Sequence, residues 1–283
     1  MSIEFKKVSY VYAPDTPLAH VGLDQVSFKL AEGKFYAVVG HTGSGKSTLL
    51  QHFNALLKPT AGEIHIAGYT ITPQTSNKGL LALRRHVGIV FQFPESQLFE
   101  STVEKDIAFG PKNFGLKDPL GTAHRWLDRV GLPESIAQRS PFELSGGQMR
   151  RVAIAGIMAS EPDILCLDEP AAGLDPRAKE EMLALFKDYQ QAGHTVILIS
   201  HDMDDVARLA DAVLVMQKGR LIRQATPAAL FQDTSWDKAK TLGRPQATSL
   251  AARLQRSGFR FEQLPFTVPD LAKQLAGQLR SKS

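Results

Sequence analysis

Residues 34–57 read KFYAVVGHTGSGKSTLLQHFNALL, and this stretch decides the fold class. Residues 35–39 are an unbroken apolar run, the pattern of a parallel strand covered on both faces. The run stops at Gly40. From there the chain reads GHTGSGKS through Ser47, a complete G-x-x-x-x-G-K-[ST] phosphate loop. Leu49, Leu50, Phe53, Leu56 and Leu57 continue at helical spacing, and Pro59 closes the expected helix. Glycine is needed in the loop because backbone N–H groups must turn inward around phosphates, where a Cβ would obstruct the turn or the anion. The helix N-terminus adds its positive end. Gly40, His41, Thr42, Gly43, Ser44, Gly45, Lys46, Ser47 and Thr48 are therefore expected to cradle a nucleoside triphosphate. Lys46 would reach the β- and γ-phosphates, and the Ser47 hydroxyl would ligate Mg²⁺.

The chain has 283 residues, 43% of them hydrophobic, enough for one large α/β core and a smaller appendage. Apolar runs such as residues 195–199 and 212–216 fall far short of the ~20 residues that span a bilayer, and no charged-then-apolar leader opens the sequence. A role at a membrane would need a partner to supply the membrane part. The one cysteine, Cys166, lies in a strand-like run; no internal disulfide can form, and a reducing cytosol is the expected compartment. The net charge of +4 hides an asymmetry, since residues 220–283 hold eleven Lys/Arg against four Asp/Glu. These charges are scattered rather than run together, which favours a solvated surface.

Residues 3–12 and 26–30 alternate, with Lys6 and Lys7 interrupting the first register, and residues 63–67 add a third segment of this kind. They read as half-exposed antiparallel strands. Such a sheet beside the phosphate-loop strand brings an N-terminal aromatic near the nucleotide base, and Tyr12 is the candidate to stack on adenine. Residues 86–91 read as a core strand ending at Gln92. Residues 102–160 read as helical segments broken at Gly115, Gly121, Gly131 and Pro141, an insertion into the core. Residues 163–168 and 195–200 are further buried strands, joined by a helix over 177–192 capped by Gly193, a βαβ crossover. Residues 213–216 begin the last core strands. Beyond residue 225 come short amphipathic pieces: Thr226-Pro227 opens a helix, Leu250 and Leu254 are four apart, and Leu271, Leu275 and Leu279 form a stripe. The expected division is a core of residues 1–225, with a helical subdomain of about 93–160 inserted, and a helical extension of 226–283.

Two further stretches carry chemistry. Ser145, Gly146, Gly147 and Gln148 open a helix and make a second anion site of the same physical kind as the first. One γ-phosphate cannot easily use both within one chain. Asp168 and Glu169 follow four apolar residues, so a strand delivers both carboxylates at its end: Asp168 to hold Mg²⁺ through water, Glu169 to orient and deprotonate the attacking water.

With the phosphate loop, the LSGGQ stretch at residues 144–148 resembles the ATP-binding-cassette (ABC) ATPases. The resemblance implies a P-loop NTPase core with a mostly parallel sheet and an antiparallel β subdomain. It also implies two cassettes packed head to tail, each signature loop completing the other's ATP site. Gln92 matches the family's Q-loop glutamine, which touches Mg²⁺ and water. His201 matches the switch histidine that senses the γ-phosphate, and residues 172–175, ending in Asp175, match the D-loop that makes contacts across the dimer. Ala171 stands where the family often has a hydroxylated residue. More narrowly, FQFPESQLFESTVEKDIAFGPKN and LSGGQMRRVAIAGIMA are similar to the ATPase subunits of energy-coupling-factor importers for vitamins and transition metals, closest to the second ATPase subunit of heterodimeric modules. That implies ATP hydrolysis at the cytoplasmic face of the cell membrane. The implied partners are a second homologous ATPase subunit in a hetero- or homodimer, a membrane-embedded scaffold and substrate-binding membrane subunits, with the C-terminal extension contributing to dimerisation. Soluble ABC ATPases acting on DNA or ribosomes are the competing class. DNA-acting members carry a long coiled coil between the phosphate loop and the signature; here fewer than a hundred residues separate Ser47 from Ser145, so no nucleic-acid partner is expected. Finally, Glu95, Glu100, Glu104 and Asp106 against Lys105 make the segment after Gln92 acidic, which reads either as a solvated helical face or as a receiving surface for basic residues of the membrane partner.

Overall fold

The computed structural model describes residues 3–233, 243–261 and 263–280. The strands are β1 (Ile3–Tyr12), β2 (His20–Leu30), β3 (Phe35–Val39), β4 (Ala61–Ile66), β5 (Tyr69–Ile71), β6 (Val87–Val90), β7 (Ile164–Asp168), β8 (Thr195–Ile199), β9 (Ala212–Gln217) and β10 (Arg220–Ala225). β1, β2, β4 and β5 form an antiparallel sheet in the order β2-β1-β4-β5. Its first strand shifts register between Phe5 and Val8, at the interruption the sequence shows, where Lys7 takes φ 48° and donates its N–H to Ser27 Oγ at 2.8 Å.

The second sheet has the order β10-β9-β3-β8-β7-β6, parallel throughout except for β10. All residues of β3, β7 and β8 are buried, as continuous apolar runs require. The register pairs Val38 with Ile199 and Asp168 with Ile199. The C-terminal ends of these strands are thus level, and Gly40, Glu169, Ser200 and, one strand further, Gln92 leave the sheet at the same end.

The helices are α1 (Lys46–Phe53), α2 (Leu80–His86), α3 (Val103–Asn113), α4 (Pro119–Arg129), α5 (Gly146–Met158), α6 (Pro176–Gln191), α7 (Met203–Leu209), α8 (Pro227–Phe231), α9 (Gln246–Arg256) and α10 (Val268–Arg280). Leu49, Leu50 and Phe53 of α1 share one apolar cluster with residues of both sheets, so the phosphate-loop helix is held from two sides. The helix is shorter than its apolar spacing suggests. Asn54 ends it, Ala55 turns at φ 53°, and Asn54 Oδ1 accepts from Leu56 N at 3.0 Å, which leaves Leu56 49% exposed. Gly121 also departs from its expected role as a breaker: it lies inside α4, where its N–H caps onto Asp118 Oδ1 at 3.0 Å. A Cβ at Gly121 would sit 2.0 Å from that carboxylate, so close approach rather than flexibility requires the glycine.

α3, α4 and α5 pack around Trp126, Ile107 and Ile154 in a cluster that continues into Leu165 and Leu167 of β7. The C-terminal pieces α9 and α10 have a small cluster of their own, in which Ala247, Ala251, Phe261 and Leu271 are buried and Leu254 and Leu275 pack alongside. Leu250 and Leu279 point outward, 47% and 55% exposed. Among the described residues, no helix is long and apolar enough to cross a membrane.

His52 of α1 is fully buried, its Nδ1 2.7 Å from Thr48 O, and burial pushes its pKa down to about 4. The unfolded chain takes up this proton below about pH 6.5, the folded chain only below about 4. The neutral ring's contribution is therefore full above pH 6.5 and is lost as pH falls through that window, to a total of about 3 kcal/mol. Denaturant melts between pH 7 and pH 4 should show this loss, and His52→Leu should flatten the slope there; an unchanged slope in the variant would rule His52 out as its source.

Candidate functional site

After Val39 the chain turns through the phosphate loop. The loop is closed by Ser44 N donating to His41 O at 3.0 Å and is braced from outside. Gly219, in the β9–β10 turn, donates to Ser44 O at 3.0 Å and accepts from Asp24 N of β2 at 2.9 Å. Gly45, at φ 98°, starts α1; a Cβ there would lie 2.6 Å from Gly22 O. Lys46 is buried and turned over the loop, donating to Gly40 O at 2.8 Å and His41 O at 3.0 Å. Burial lowers its pKa, opposed by the negative charge of Glu169 and Asp168 nearby.

Asp168, at the end of β7, is buried, and desolvation raises its carboxyl above the usual range against a hydrogen bond from Ser47. Glu169 takes the left-handed φ of 49°, uncommon for a residue with a side chain. That turn, with Glu169 N donating to Ile199 O at 3.2 Å, brings its Oε1 to 2.6 Å from His201 Nε2. Lys46, Ser47, Gln92, Asp168, Glu169 and His201 line one cavity of about 340 Å³ with Thr42, Gly43, Gly45 and Thr48. Gly40, His41 and Ser44 line a separate hollow of about 240 Å³ between the loop and β9.

Tyr12 stands over the start of α1, its Oη 3.0 Å from Thr48 Oγ1. Its ring lies parallel to His20 at 4.7 Å and 11°. Gly22, which sequence reading passed over, makes room for it: a Cβ there would meet Tyr12 Cε2 at 2.7 Å. Ser145 and Gln148 are occupied with each other as a capping box on α5, Ser145 N donating to Gln148 Oε1 at 3.1 Å and Gln148 N to Ser145 Oγ at 3.4 Å. Gly146 and Gly147 have open space where a Cβ would go. Asp175 caps α6, its Oδ1 accepting from Arg177 N and Ala178 N, both at 3.0 Å. Tyr12, Ser145, Gly146, Gly147, Gln148 and Asp175 do not line the 340 Å³ cavity.

The acidic receiving surface is corrected by the structure. Glu95 is paired inside the chain, its Oε2 3.1 Å from Arg150 Nε and its Oε1 3.0 Å from Arg150 Nη2. Asp106 is buried and accepts from Phe99 N and Glu100 N, both at 2.9 Å. Glu104 is buried against His124, with Oε2 3.3 Å from Nε2. Asp106 thus satisfies the loop before α3 and Glu104 meets α4, while the first amides of α3 donate to the carbonyls of Arg139 and Ala137, so of the four only Glu100 keeps the expected role. Sequence reading also missed Lys179 of α6, whose Nζ lies 2.6 Å from Asp202 Oδ2 and 2.8 Å from Asp205 Oδ2, beside His201. Both Arg150 and Lys179 find their partners across more than twenty residues, and no local pattern marks them.

A family model described as ABC transporter matches residues 23–172. Relatives named energy-coupling factor transporter ATP-binding protein EcfA2, from Lactobacillus delbrueckii subsp. bulgaricus and Enterococcus faecalis, are 57% and 53% identical over 282 and 283 residues. Each alignment covers 99% of this chain and 98% of the relative. Among solved structures, cbiO1 from Clostridium perfringens, described as part of the ABC transporter complex cbiONQ, matches with a TM-score of 0.71 at 36% identity over 90% of this chain and 96% of that one. The dimeric ATP-binding cassette MJ0796 in a post-hydrolysis state, bound to ADP and Pi, matches with a TM-score of 0.72 at 29% identity over 80% of this chain and 98% of that one.

Gly45→Ala puts a Cβ on a left-handed residue and against Gly22 O. The substitution should abolish binding of a fluorescent nucleoside triphosphate at ten times the wild-type Kd while leaving a cooperative melt; wild-type affinity would show that the loop tolerates the side chain.

Proposed function

The chain belongs to the ABC transporter ATPases and, within them, to the energy-coupling factor transporter ATP-binding proteins, and from that premise we propose how its cleft hydrolyses ATP and what the hydrolysis drives. The observation that carries the reading is the convergence of Lys46, Gln92, Asp168, Glu169 and His201 on one cavity, with Glu169 at 2.6 Å from His201. The loop N–H groups and Lys46 bind the triphosphate, Lys46 exchanging its present carbonyl partners for phosphate oxygens. Tyr12, locked to Thr48, presents its ring to the adenine. Glu169 accepts a proton from the attacking water while His201, hydrogen-bonded to it, fixes its direction and meets the γ-phosphate.

Ser47, Asp168 and Gln92 offer hard oxygen ligands, and the buried Asp168 carboxyl already hydrogen-bonded to Ser47 is a site that a cation would complete. These residues fit Mg²⁺, which takes few protein ligands alongside phosphate oxygens. Held by these residues, Mg²⁺ would supply positive charge to neutralise the triphosphate.

The open glycines of the signature loop and its place outside the cavity support a composite site, in which Ser145, Gly146, Gly147 and Gln148 face the nucleotide of a second homologous ATPase subunit. Asp175 and its loop belong to the same junction, and residues 226–283 add to the dimer beside the 1–225 core. A groove of about 290 Å³ between the start of β6, α3 and α5, where Phe99 and Phe109 meet edge to face at 4.8 Å, suits an apolar segment of the membrane-embedded scaffold. Through the scaffold, at the cytoplasmic face of the membrane, closure of the two cassettes on ATP drives uptake of vitamins or transition-metal ions held by substrate-binding membrane subunits.

Glu169→Gln should keep ATP binding and slow hydrolysis roughly 10²- to 10⁴-fold, the contribution of a positioned base, whereas Lys46→Ala should weaken binding itself; wild-type turnover in both, measured with purified complex, would refute the site. Ser145→Arg should disable the partner's ATP site and spare its own. Single-site turnover in mixed dimers decides between that and a defect confined to the mutated chain, which would refute the composite site.

A further inference from the structure

Arg150, on the helix that follows the signature loop, is a cation with only 7% of its surface exposed. A buried guanidinium is tolerated when its donors are matched. Here Nε and Nη2 form a fork on Glu95, at 3.1 Å and 3.0 Å, and Nη1 donates to the carbonyl of Ala172. Its face lies over the ring of Phe93, 5.8 Å from the centroid. The hydrogen bonds from Arg150 hold the Glu95 carboxyl below the usual carboxylate range, so the pair stays charged at neutral pH.

The partners stand next to chemistry on both sides. Phe93 and Glu95 follow directly on Gln92. Ala172 closes the turn after Glu169, its N–H donating to Glu169 O at 3.1 Å. Gln92 and Glu169 both line the ATP cavity, and Arg150 does not.

We infer that Arg150 is a positioning residue for hydrolysis: it ties the segment after Gln92 and the turn after Glu169 to α5, so that the signature helix sets where both side chains stand in the cavity. The inference rests on the reading of the cavity given above. Triphosphate binding comes from the loop between β3 and α1, which Arg150 does not touch. Its loss should therefore act on turnover rather than on affinity, since a displacement of about 1 Å at a catalytic group is enough to cost up to 10²-fold. An ammonium cannot reproduce the fork, so lysine should not substitute.

The test uses the full chain in the complex it purifies with, the partner cassette's own site silenced, and compares Arg150→Lys, Arg150→Met, Glu95→Gln and the double variant Arg150→Met/Glu95→Gln. Expected is a kcat lowered about tenfold in Arg150→Lys and further in Arg150→Met, with KM for ATP within about twofold. Glu95→Gln should give part of the loss, and the double variant should be no worse than Arg150→Met alone. Titration with a fluorescent ATP analogue counts competent sites, so that loss of folded protein is separated from loss of turnover. Turnover within twofold of wild type in both Arg150 variants, or a fall matched by lost binding sites, overturns the inference. Glu169→Gln is the reference: if it turns over normally, the cavity reading fails and the clamp with it; if it is inactive while the Arg150 variants are normal, the clamp alone fails.

Discussion

The parallel register of the six-stranded sheet is the constraint on which the site depends. Because β3, β7 and β8 are hydrogen-bonded with Val38, Asp168 and Ile199 level, the segments that follow them leave the sheet in one plane. A phosphate loop, a carboxylate pair more than a hundred residues beyond it and a histidine further on thereby share a cavity. A shift of two residues along β7 would carry Asp168 and Glu169 roughly 6.6 Å from the loop, given a rise of about 3.3 Å per residue. The apolar runs serve the site as much as stability, since burial on both faces anchors β3, β7 and β8 in the core that carries the site.

Around the cavity the protein places charges where water is scarce and matches nearly every one. Lys46 rests on the loop's own carbonyls, Glu169 on His201, and Arg150 on Glu95, Ala172 and Phe93. Asp168 is the exception, its carboxyl pushed upward by burial and steadied by Ser47. An environment that disfavours a lone buried carboxylate is one that a cation would complete, because its charge favours the ionised carboxyl. Rigidity comes from small residues outside the cavity: Gly219 links the loop to β2 and β10, and Gly22 lets Tyr12 pack down onto Thr48.

The segment after Gln92 shows where linear reading goes astray. Counting carboxylates there gives an acidic patch, yet three of the four have a partner within the chain, and each partner answers a need of packing. Asp106 answers the loop amides of Phe99 and Glu100, Glu104 meets His124, and Glu95 neutralises the arginine that α5 carries into the interior. Composition cannot distinguish a solvated carboxylate from a capped one, because that depends on which backbone amides come near. The same holds for Gly121, a breaker by residue type and in fact the one residue that fits against Asp118.

The features legible along the chain are local ones. The phosphate loop, the signature, the strand-borne Asp168-Glu169 pair and the core strands are written in contiguous spacing, since a strand or a loop conformation is set by neighbours a few residues away, whereas the first half of β2 and the short β5 carry no such pattern and form by pairing with β1 and β4. The helix after the phosphate loop was readable at its start and misread at its end, where Asn54 offered a turn that competed with apolar periodicity. Which groups meet follows from the folded arrangement: His201 reaches Glu169, Tyr12 lies against His20 and Thr48, Asp175 caps its own helix, and Arg150 joins the segment after Gln92 to the turn after Glu169. Those contacts follow from sheet order and helix packing, and the pairing of side chains far apart in the chain is a property of that arrangement rather than of any stretch within it.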